Sequence, residues 1–153
     1  MKRRVATTIA VAMTGLCVMA SAGQASGYQL MAITELQANA QGHFVTHASI
    51  NGYDVAVLVD TGATVVALSF EDARGVGLRP GTLSFDVPVS TANGIAQAAR
   101  VTIDRIVIDG VKVENVEGLV LPEGALRGTL LGMSFLGKLS SFRVEDGVLR
   151  LKD

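Results

Sequence analysis

The segment "YDVAVLVDTGATVVALS", Tyr53 to Ser69, decides the fold and raises the main chemical question of this chain. An apolar run ends at a single acid, Asp60, turns at Gly62 and continues as a second apolar run. This pattern predicts two buried strands joined by a tight turn. Because an unpartnered buried charge is costly, the carboxylate of Asp60 must be either satisfied or used at this position.

Hairpin turns recur on both sides of the segment. Strand-like apolar runs flank Asn51-Gly52, Asp109-Gly110 and Asp146-Gly147, and such dipeptides favour two-residue β-hairpins. A further hairpin tip is predicted at Ala92-Asn93-Gly94, and Asp104 and Asp109 are interpreted as the ends of an edge strand. Many short strands with one or two short helices predict an all-β domain that closes into a barrel.

Two short helical segments are predicted. Ser69 with Asp72 three residues later is typical of a capped helix start, and this helix should end at Gly75 to Gly77. The run "GTLLGMSFLGKL" predicts a strand that ends at Gly132, followed by a helical turn from Met133.

The first 22 residues form a separate unit in the sequence. A basic start, "MKRR", precedes an uncharged apolar stretch and the small residues Ala20, Ser21 and Ala22. This arrangement predicts a cleaved signal peptide, with an uncleaved N-terminal membrane anchor as the alternative, and in both cases an exported domain. Residues 23–42 are small and polar and are interpreted as a linker or arm before a domain that spans 43–153.

Composition narrows the possible functions. Apolar residues make up 49% of the 153 residues, which suits a buried core, and the net charge of −1 gives no reason to expect a nucleic-acid partner. Cys17, the single cysteine, lies in the apolar leader, so no disulfide or thiol nucleophile is expected in the domain. On a strand, His43 and His47 would lie about 13 Å apart, too far for one metal ion, and no metal site is predicted.

Asp60 allows two interpretations. As a turn residue it would accept hydrogen bonds from nearby backbone N–H groups and do nothing else. As a catalytic acid or base it would need a second carboxylate, so that one activates a water molecule while the other donates a proton to a carbonyl. In that case Thr61 would fix the loop by hydrogen bonding to the backbone, and Gly62 would allow close approach of the main chain.

The motifs "LVDTGA" and "LLG", the latter Leu130-Leu131-Gly132, together resemble the retropepsin-like aspartic proteases. The resemblance covers about Phe44 to Leu151. Within the family, the sequence is most similar to bacterial members that have an N-terminal export or membrane segment. It implies a retropepsin-like closed β-barrel that forms one lobe per subunit, and a periplasmic location. It also implies an endopeptidase without metal or cofactor that acts on peptide or protein substrates.

The resemblance supplies the missing carboxylate and a substrate-covering hairpin. In a symmetric homodimer two copies of Asp60, supported by Thr61, Gly62 and Ala63, would face each other. The segment "VPVSTANGIAQAARV" would be the flap, with substrate-binding residues at its tip: Ser90, Thr91, Ala92, Asn93 and Gly94. A faint echo between "ASINGYDVAVLVDTGATVVALS" and "IVIDGVKVENVEGLVL…TLLGMSFL" would then reflect two related halves of each subunit.

The sequence differs from retroviral relatives immediately after the "LLG" element. In those relatives an Arg at this place commonly pairs with an acid that follows the DTGA motif. This chain instead has Met133 and Ser134 after "LLG", and Thr64 and Val65 after the DTGA motif. Dimer stabilisation must therefore differ, through apolar packing and the terminal strands. Ala63, where pepsin-like loops have a hydroxyl residue, favours a less acidic working range.

Two other functions remain open at this point. The same fold could bind an extended peptide by β-pairing without cleaving it, as a peptide-binding module of the cell envelope. Alternatively, the chain could be a monomeric structural domain in which Asp60 only forms a turn. The Asp60→Asn substitution separates these hypotheses from the endopeptidase.

Overall fold

The computed structural model describes residues 31–91 and 94–153. This part of the chain is mostly β, with two short α-helices and one 3₁₀ helix at Pro80–Thr82. The strands are β1 Ile33–Gln37, β2 Phe44–Ile50, β3 Tyr53–Val59, β4 Val66–Leu68, β5 Val87–Thr91, β6 Gly94–Ile108, β7 Val111–Val120, β8 Thr129–Leu131, β9 Ser141–Glu145 and β10 Val148–Lys152. The helices are α1 Phe70–Gly75 and α2 Met133–Leu136.

Six strands close into a barrel, which confirms the predicted all-β class with a closed barrel. Their order is β2-β3-β8-β4-β7-β6, and β6 pairs back onto β2 through Ile50 and Ile106. The strand β5 extends the sheet beyond β6 and forms the outer arm of a hairpin. This pairing joins the first and last strands of the barrel, and branched apolar side chains fill the interior.

The predicted hairpin turns form because their residues tolerate positive φ. Asn51 and Gly52 have φ values of 52° and 90°, Asp109 and Gly110 have 45° and 94°, and Asp146 and Gly147 have 51° and 74°. Two consecutive positive φ values define the turn whose twist matches the flanking strands. These three sequence predictions are confirmed. The fourth tip, at residues 92–94, lies partly outside the described residues.

The two halves of the barrel share one order of elements. The first half runs β2, turn, β3, β4, α1, and the second runs β6, turn, β7, β8, α2. The halves interlock, because β3 pairs in parallel with β8 and β4 pairs in parallel with β7. The faint echo in the sequence therefore corresponds to matching topology.

Both predicted helices are confirmed, and each contributes buried residues to the core. Ser69 caps α1 by accepting a hydrogen bond from the N–H of Asp72 at 3.0 Å. Gly132 precedes α2, whose Phe135 and Leu136 are fully buried in the core. Neither they nor any other helix in residues 31–91 and 94–153 has the length and apolar character needed to span a membrane.

The segment 23–42 differs from the expected linker or arm in its second half. Ile33–Gln37 form β1, which pairs antiparallel with β10 in a separate three-stranded sheet of order β1-β10-β9. Its alternating pattern buries Thr34 and Leu36. Two inward positions among polar residues are too short a pattern to predict a strand from the sequence. Residues 23–30 of the linker, and the predicted leader, lie outside the described residues.

The interpretation of Asp104 as the start of an edge strand is wrong. Asp104 lies inside the 15-residue β6, which pairs with β7, β5 and β2. Its side chain is exposed, while Ile103 and Ile106 on either side are fully buried. An outward-facing acid does not interrupt a strand whose inward positions remain apolar.

Candidate active site

Asp60 lies at the point where β3 leaves the barrel wall and enters a loop, residues 60–65, which we call the Asp60 loop. Its N–H donates to the carbonyl of Leu131 at 3.0 Å, which fixes the strand end. Its carboxylate Oδ1 accepts a hydrogen bond from the N–H of Gly62 at 2.8 Å. A Cβ on Gly62 would lie 3.2 Å from that oxygen, so glycine allows the turn to wrap closely around the carboxylate.

Residues from the second half of the chain form hydrogen bonds with the Asp60 loop. We call residues Leu131–Ser134 the brace. The N–H of Met133 donates to the carbonyl of Ala63 at 2.8 Å, and the N–H of Ser134 donates to that of Thr64 at 3.1 Å. A Cβ on Gly132 would lie 2.3 Å from the carbonyl oxygen of Val65, so this close approach requires glycine.

A cavity of about 660 Å³ opens beside the Asp60 loop. Asp60 is the one charged residue among its described lining residues. The other walls are apolar or carry hydroxyl groups: Gly62, Ala63, Thr64, Val65, Ala67, Val89, Ser90, Thr91, Leu119, Leu121, Ala125, Leu126 and Leu130. A cleft of this size with few polar groups suits an extended, mainly apolar ligand.

The β5–β6 hairpin forms one wall of this cavity. Thr91 pairs with Gly94 at the end of the ladder, and its Oγ1 donates to the carbonyl of Gly94 at 2.8 Å. Val89, Ser90 and Thr91 line the same cavity as the Asp60 loop. The predicted flap is therefore a hairpin that shares this cavity with the Asp60 carboxylate, and Ala92 and Asn93 lie outside the described residues.

A second cavity, of about 190 Å³, touches the other side of Asp60. It is lined by Thr61 and by apolar residues that include Phe44, Leu149 and Val144. Val144 lies opposite the buried Leu149 on the same face of the small sheet, yet it is 55% exposed. Asp60 thus lines both the larger cavity and a smaller one that borders the exposed Val144.

Charged groups elsewhere on the described surface form pairs away from this cleft. The Nδ1 of His47 lies 2.7 Å from Oδ2 of Asp54, on the outer face of β2 and β3. Lys112 lowers the pKa of the Glu114 carboxyl, first through a hydrogen bond and then through its charge. Among residues 31–91 and 94–153, no three His, Cys, Asp or Glu side chains gather in a way that could hold a metal ion.

The structure brings most of the predicted site residues together. Asp60, Gly62 and Ala63 share the larger cavity with Ser90 and Thr91, whereas Thr61 is exposed and borders the smaller one. Sequence reasoning missed the apolar walls contributed by the end of β7 and the following loop. The continuous run "GLVLPEGAL", residues 118–126, was the available signal. It also missed the contacts of Ser134.

The barrel, its flap and the braced DTGA loop are together those of a retropepsin-like aspartic protease. Residues 46–138 match the model of the gag-polyprotein putative aspartyl protease family. The chain is 46% identical over 118 residues to an uncharacterised protein from the cobV 5′ region of a Sinorhizobium species. That match covers 77% of this chain and 51% of the relative, so the chain spans about half of the relative's length.

Solved structures show the same fold. A retropepsin-like aspartic protease from Rickettsia conorii is 34% identical, with a TM-score of 0.72, over 80% of this chain and 91% of that one. The EIAV protease in complex with the inhibitor HBY-793 is 22% identical, with a TM-score of 0.56, over 70% of this chain and 97% of that one. The latter similarity concerns the fold alone. The chain therefore belongs to the gag-polyprotein putative aspartyl protease family.

Proposed function

We propose that this chain is an aspartic endopeptidase whose active unit is a homodimer with two Asp60 carboxylates at one site. The observation that carries the proposal is the position of Asp60. It is the only charged group among the described residues that line the larger cavity. The family to which the chain belongs is one of aspartyl proteases.

The chemistry follows from two carboxylates close to each other. Like charges at short distance cannot both ionise easily, so the pair would share one proton. The ionised carboxylate would take a proton from a water molecule held between the two groups, and that water would attack the peptide carbonyl. The protonated carboxyl would donate its proton to the carbonyl oxygen and form a tetrahedral gem-diol. The carboxyl that took the proton from water would pass it to the amide nitrogen as the C–N bond breaks, and the other carboxylate would take a proton back from the gem-diol as the product carboxyl forms.

One chain contributes one carboxylate, and this supports a second copy as the source of the other. The loop residues Thr61 and Gly62, next to Asp60, are exposed in the isolated subunit. Within the described residues, β9 pairs on one side only, with β10, and it carries the exposed Val144 toward the same region. A two-fold contact there would cover this apolar surface and bring the two Asp60 loops together.

The walls of the cleft support a preference for apolar side chains at the cleaved bond. Leu119, Leu121, Leu126 and Leu130 contribute branched apolar groups to the lining. An extended peptide would lie between these walls and the flap. Cleavage-site profiling on a peptide library should give apolar residues next to the cleaved bond, and a preference for charged residues there would contradict this part of the proposal.

We also propose that the protein is exported, either free in the periplasm or held at the membrane by an uncleaved N-terminal segment. This rests on the basic and apolar pattern of residues 1–22. Fractionation of cells followed by N-terminal sequencing tests it. Recovery of the intact N-terminus in the membrane fraction would favour the anchor, and recovery in the cytoplasm would contradict export.

The proposed function is tested by comparing the proteolytic activity of the parent protein with that of the Asp60→Asn variant. We expect cleavage of an unfolded protein substrate to fall by at least about a thousandfold, since both acid and base roles depend on this carboxylate. Asp54→Asn is the matched control, because Asp54 is an exposed strand acid that contacts His47. Both variants should keep the parent circular dichroism spectrum. Peptide binding by the parent without cleavage, from mild acid to neutral pH, would favour the non-catalytic binding module.

A further inference from the structure

The Asp60 loop is attached to the brace at both of its ends. At the start, the N–H of Asp60 donates to the carbonyl of Leu131 at 3.0 Å. After the loop, the N–H of Val66 donates to the Oγ of Ser134 at 2.9 Å. Between these points, Met133 and Ser134 hold the carbonyls of Ala63 and Thr64. Four consecutive residues therefore determine where the loop lies.

Ser134 differs from the other members of the brace because it acts through its side chain. Its hydroxyl accepts from Val66 and donates to the carbonyl of Glu117 on β7 at 2.6 Å. Val66 and Gly118 form the first residue pair of the parallel β4–β7 ladder. The hydroxyl thus joins the end of the Asp60 loop to the neighbouring strand of the barrel wall, and it uses both its donor and an acceptor position.

We propose that Ser134 is a positioning residue for Asp60, acting through the hydrogen bonds that its hydroxyl makes to Val66 and Glu117. The inference rests on the proposed endopeptidase function. The other bonds between the brace and the loop described above are between main-chain atoms, and they persist when a side chain changes. Loss of the Ser134 hydroxyl therefore removes the hydrogen bond to Val66 at the end of the loop, while the bond from Asp60 to Leu131 at its start remains. The loop would move by a small distance, and the distance between two paired carboxylates is sensitive to such movement.

The proposal predicts a specific kinetic signature in the full-length chain. Ser134→Ala should lower kcat by between about ten- and a hundredfold and leave KM within about twofold, because catalytic geometry changes while the apolar cleft does not. Ser134→Cys keeps the approximate shape but has only a weak hydrogen-bonding group, so it should show the same direction of change if the alanine variant folds poorly. Both are assayed well below the melting temperature.

The matched control is Ser69→Ala. Like Ser134, Ser69 has a side-chain oxygen that accepts a main-chain hydrogen bond, here from Asp72 at the start of α1. Loss of the Ser69 hydroxyl should lower the melting temperature but leave kcat within about twofold of the parent. If Ser134→Ala and Ser69→Ala lower kcat equally, or if Ser134→Ala changes only the melting temperature, the proposal is overturned.

A second measurement does not depend on activity. Amide hydrogen exchange at Val66 and Ala63 should become at least about tenfold faster in Ser134→Ala and stay unchanged in Ser69→Ala. Unchanged exchange at these amides would overturn the positioning role even in an active protease. A parent protein that shows no cleavage sensitive to Asp60→Asn would instead contradict the proposed function, and exchange would still decide whether Ser134 holds the loop.

Discussion

Gly132 shows how a single residue without a side chain determines the geometry of the site. Its backbone lies against the carbonyls of Ala63 and Val65, at a distance that leaves no room for a Cβ. The adjacent N–H groups can then reach the Asp60 loop. Glycine at this position is required by space rather than by φ, since its φ of −91° is accessible to any residue.

Gly132→Ala should therefore reduce stability and activity together. The added methyl group would lie 2.3 Å from the Val65 oxygen, and overpacking of this kind costs about 1–3 kcal/mol or more. We expect a loss of about 3 kcal/mol in the free energy of unfolding, measured by urea denaturation. Gly75→Ala is the control, because a Cβ there meets nothing within 4 Å and should leave stability unchanged or slightly raised. Equal stability of the two variants would contradict the close contact.

The sequence indicated Asp60 as a candidate because one acid interrupts an apolar run. It also indicated that Gly62 permits a close turn, and Gly62 indeed donates to the carboxylate. The role of Ser134 could not be predicted, because its partners Val66 and Glu117 are 68 and 17 residues away. Contacts between distant segments depend on the barrel closing, which no local pattern encodes.

At the scale of elements, α1 is a short helix whose start depends on a side chain. The Oγ of Ser69 accepts the N–H of Asp72, and a helix of six residues has few internal hydrogen bonds to replace that contact. Asp72 in turn accepts a hydrogen bond from Thr129 Oγ1 at 2.8 Å, which connects α1 to β8. The cap therefore also fixes the helix against the barrel.

Ser69→Ala should lower the free energy of unfolding by about 1 kcal/mol, since an N-cap hydroxyl is lost. Ser84→Ala provides the comparison, because Ser84 is exposed between the 3₁₀ helix and β5. Its change should stay within about 0.5 kcal/mol. Urea denaturation of both variants measures the difference, and a loss at Ser84 as large as that at Ser69 would argue against the capping contact.

Hairpins and capped helices could be predicted because their signals are local. Asn51-Gly52, Asp109-Gly110 and Asp146-Gly147 each combine a residue that tolerates positive φ with glycine. The strand β1 could not be predicted in the same way. It is defined by pairing with β10, more than a hundred residues later, and its inward positions are only Thr34 and Leu36.

At the scale of the whole molecule, the proposed catalytic site requires two copies of the chain. Val144 on β9 is an apolar residue on the core-facing side of a sheet, and it borders the small cavity that also touches Asp60. A second subunit covering it would explain why this face is apolar. Because Met133 and Ser134 replace the arginine of the retroviral-type ion pair, the proposed dimer would depend more on such apolar contacts.

Val144→Lys should therefore shift the protein toward monomers and lower activity at a given concentration. Placing a charge in an apolar interface costs free energy of association, and activity should recover only at higher protein concentration. Tyr53→Lys is the control, because Tyr53 is 54% exposed and lies at the opposite end of β3 from the Asp60 loop. Sedimentation and peptide cleavage measure both. An unchanged mass and activity in Val144→Lys would show that β9 lies outside the interface.

The most direct test of the shared site is the activity of mixed dimers. Parent chain and Asp60→Asn are mixed at constant total concentration and incubated until subunit exchange is complete, and peptide cleavage is then followed as the parent fraction changes. If each site needs two Asp60 carboxylates, activity should follow the square of the parent fraction, so an equal mixture should retain about one quarter of the parent rate. A linear dependence, with about half of the rate in the equal mixture, would show that each chain acts alone.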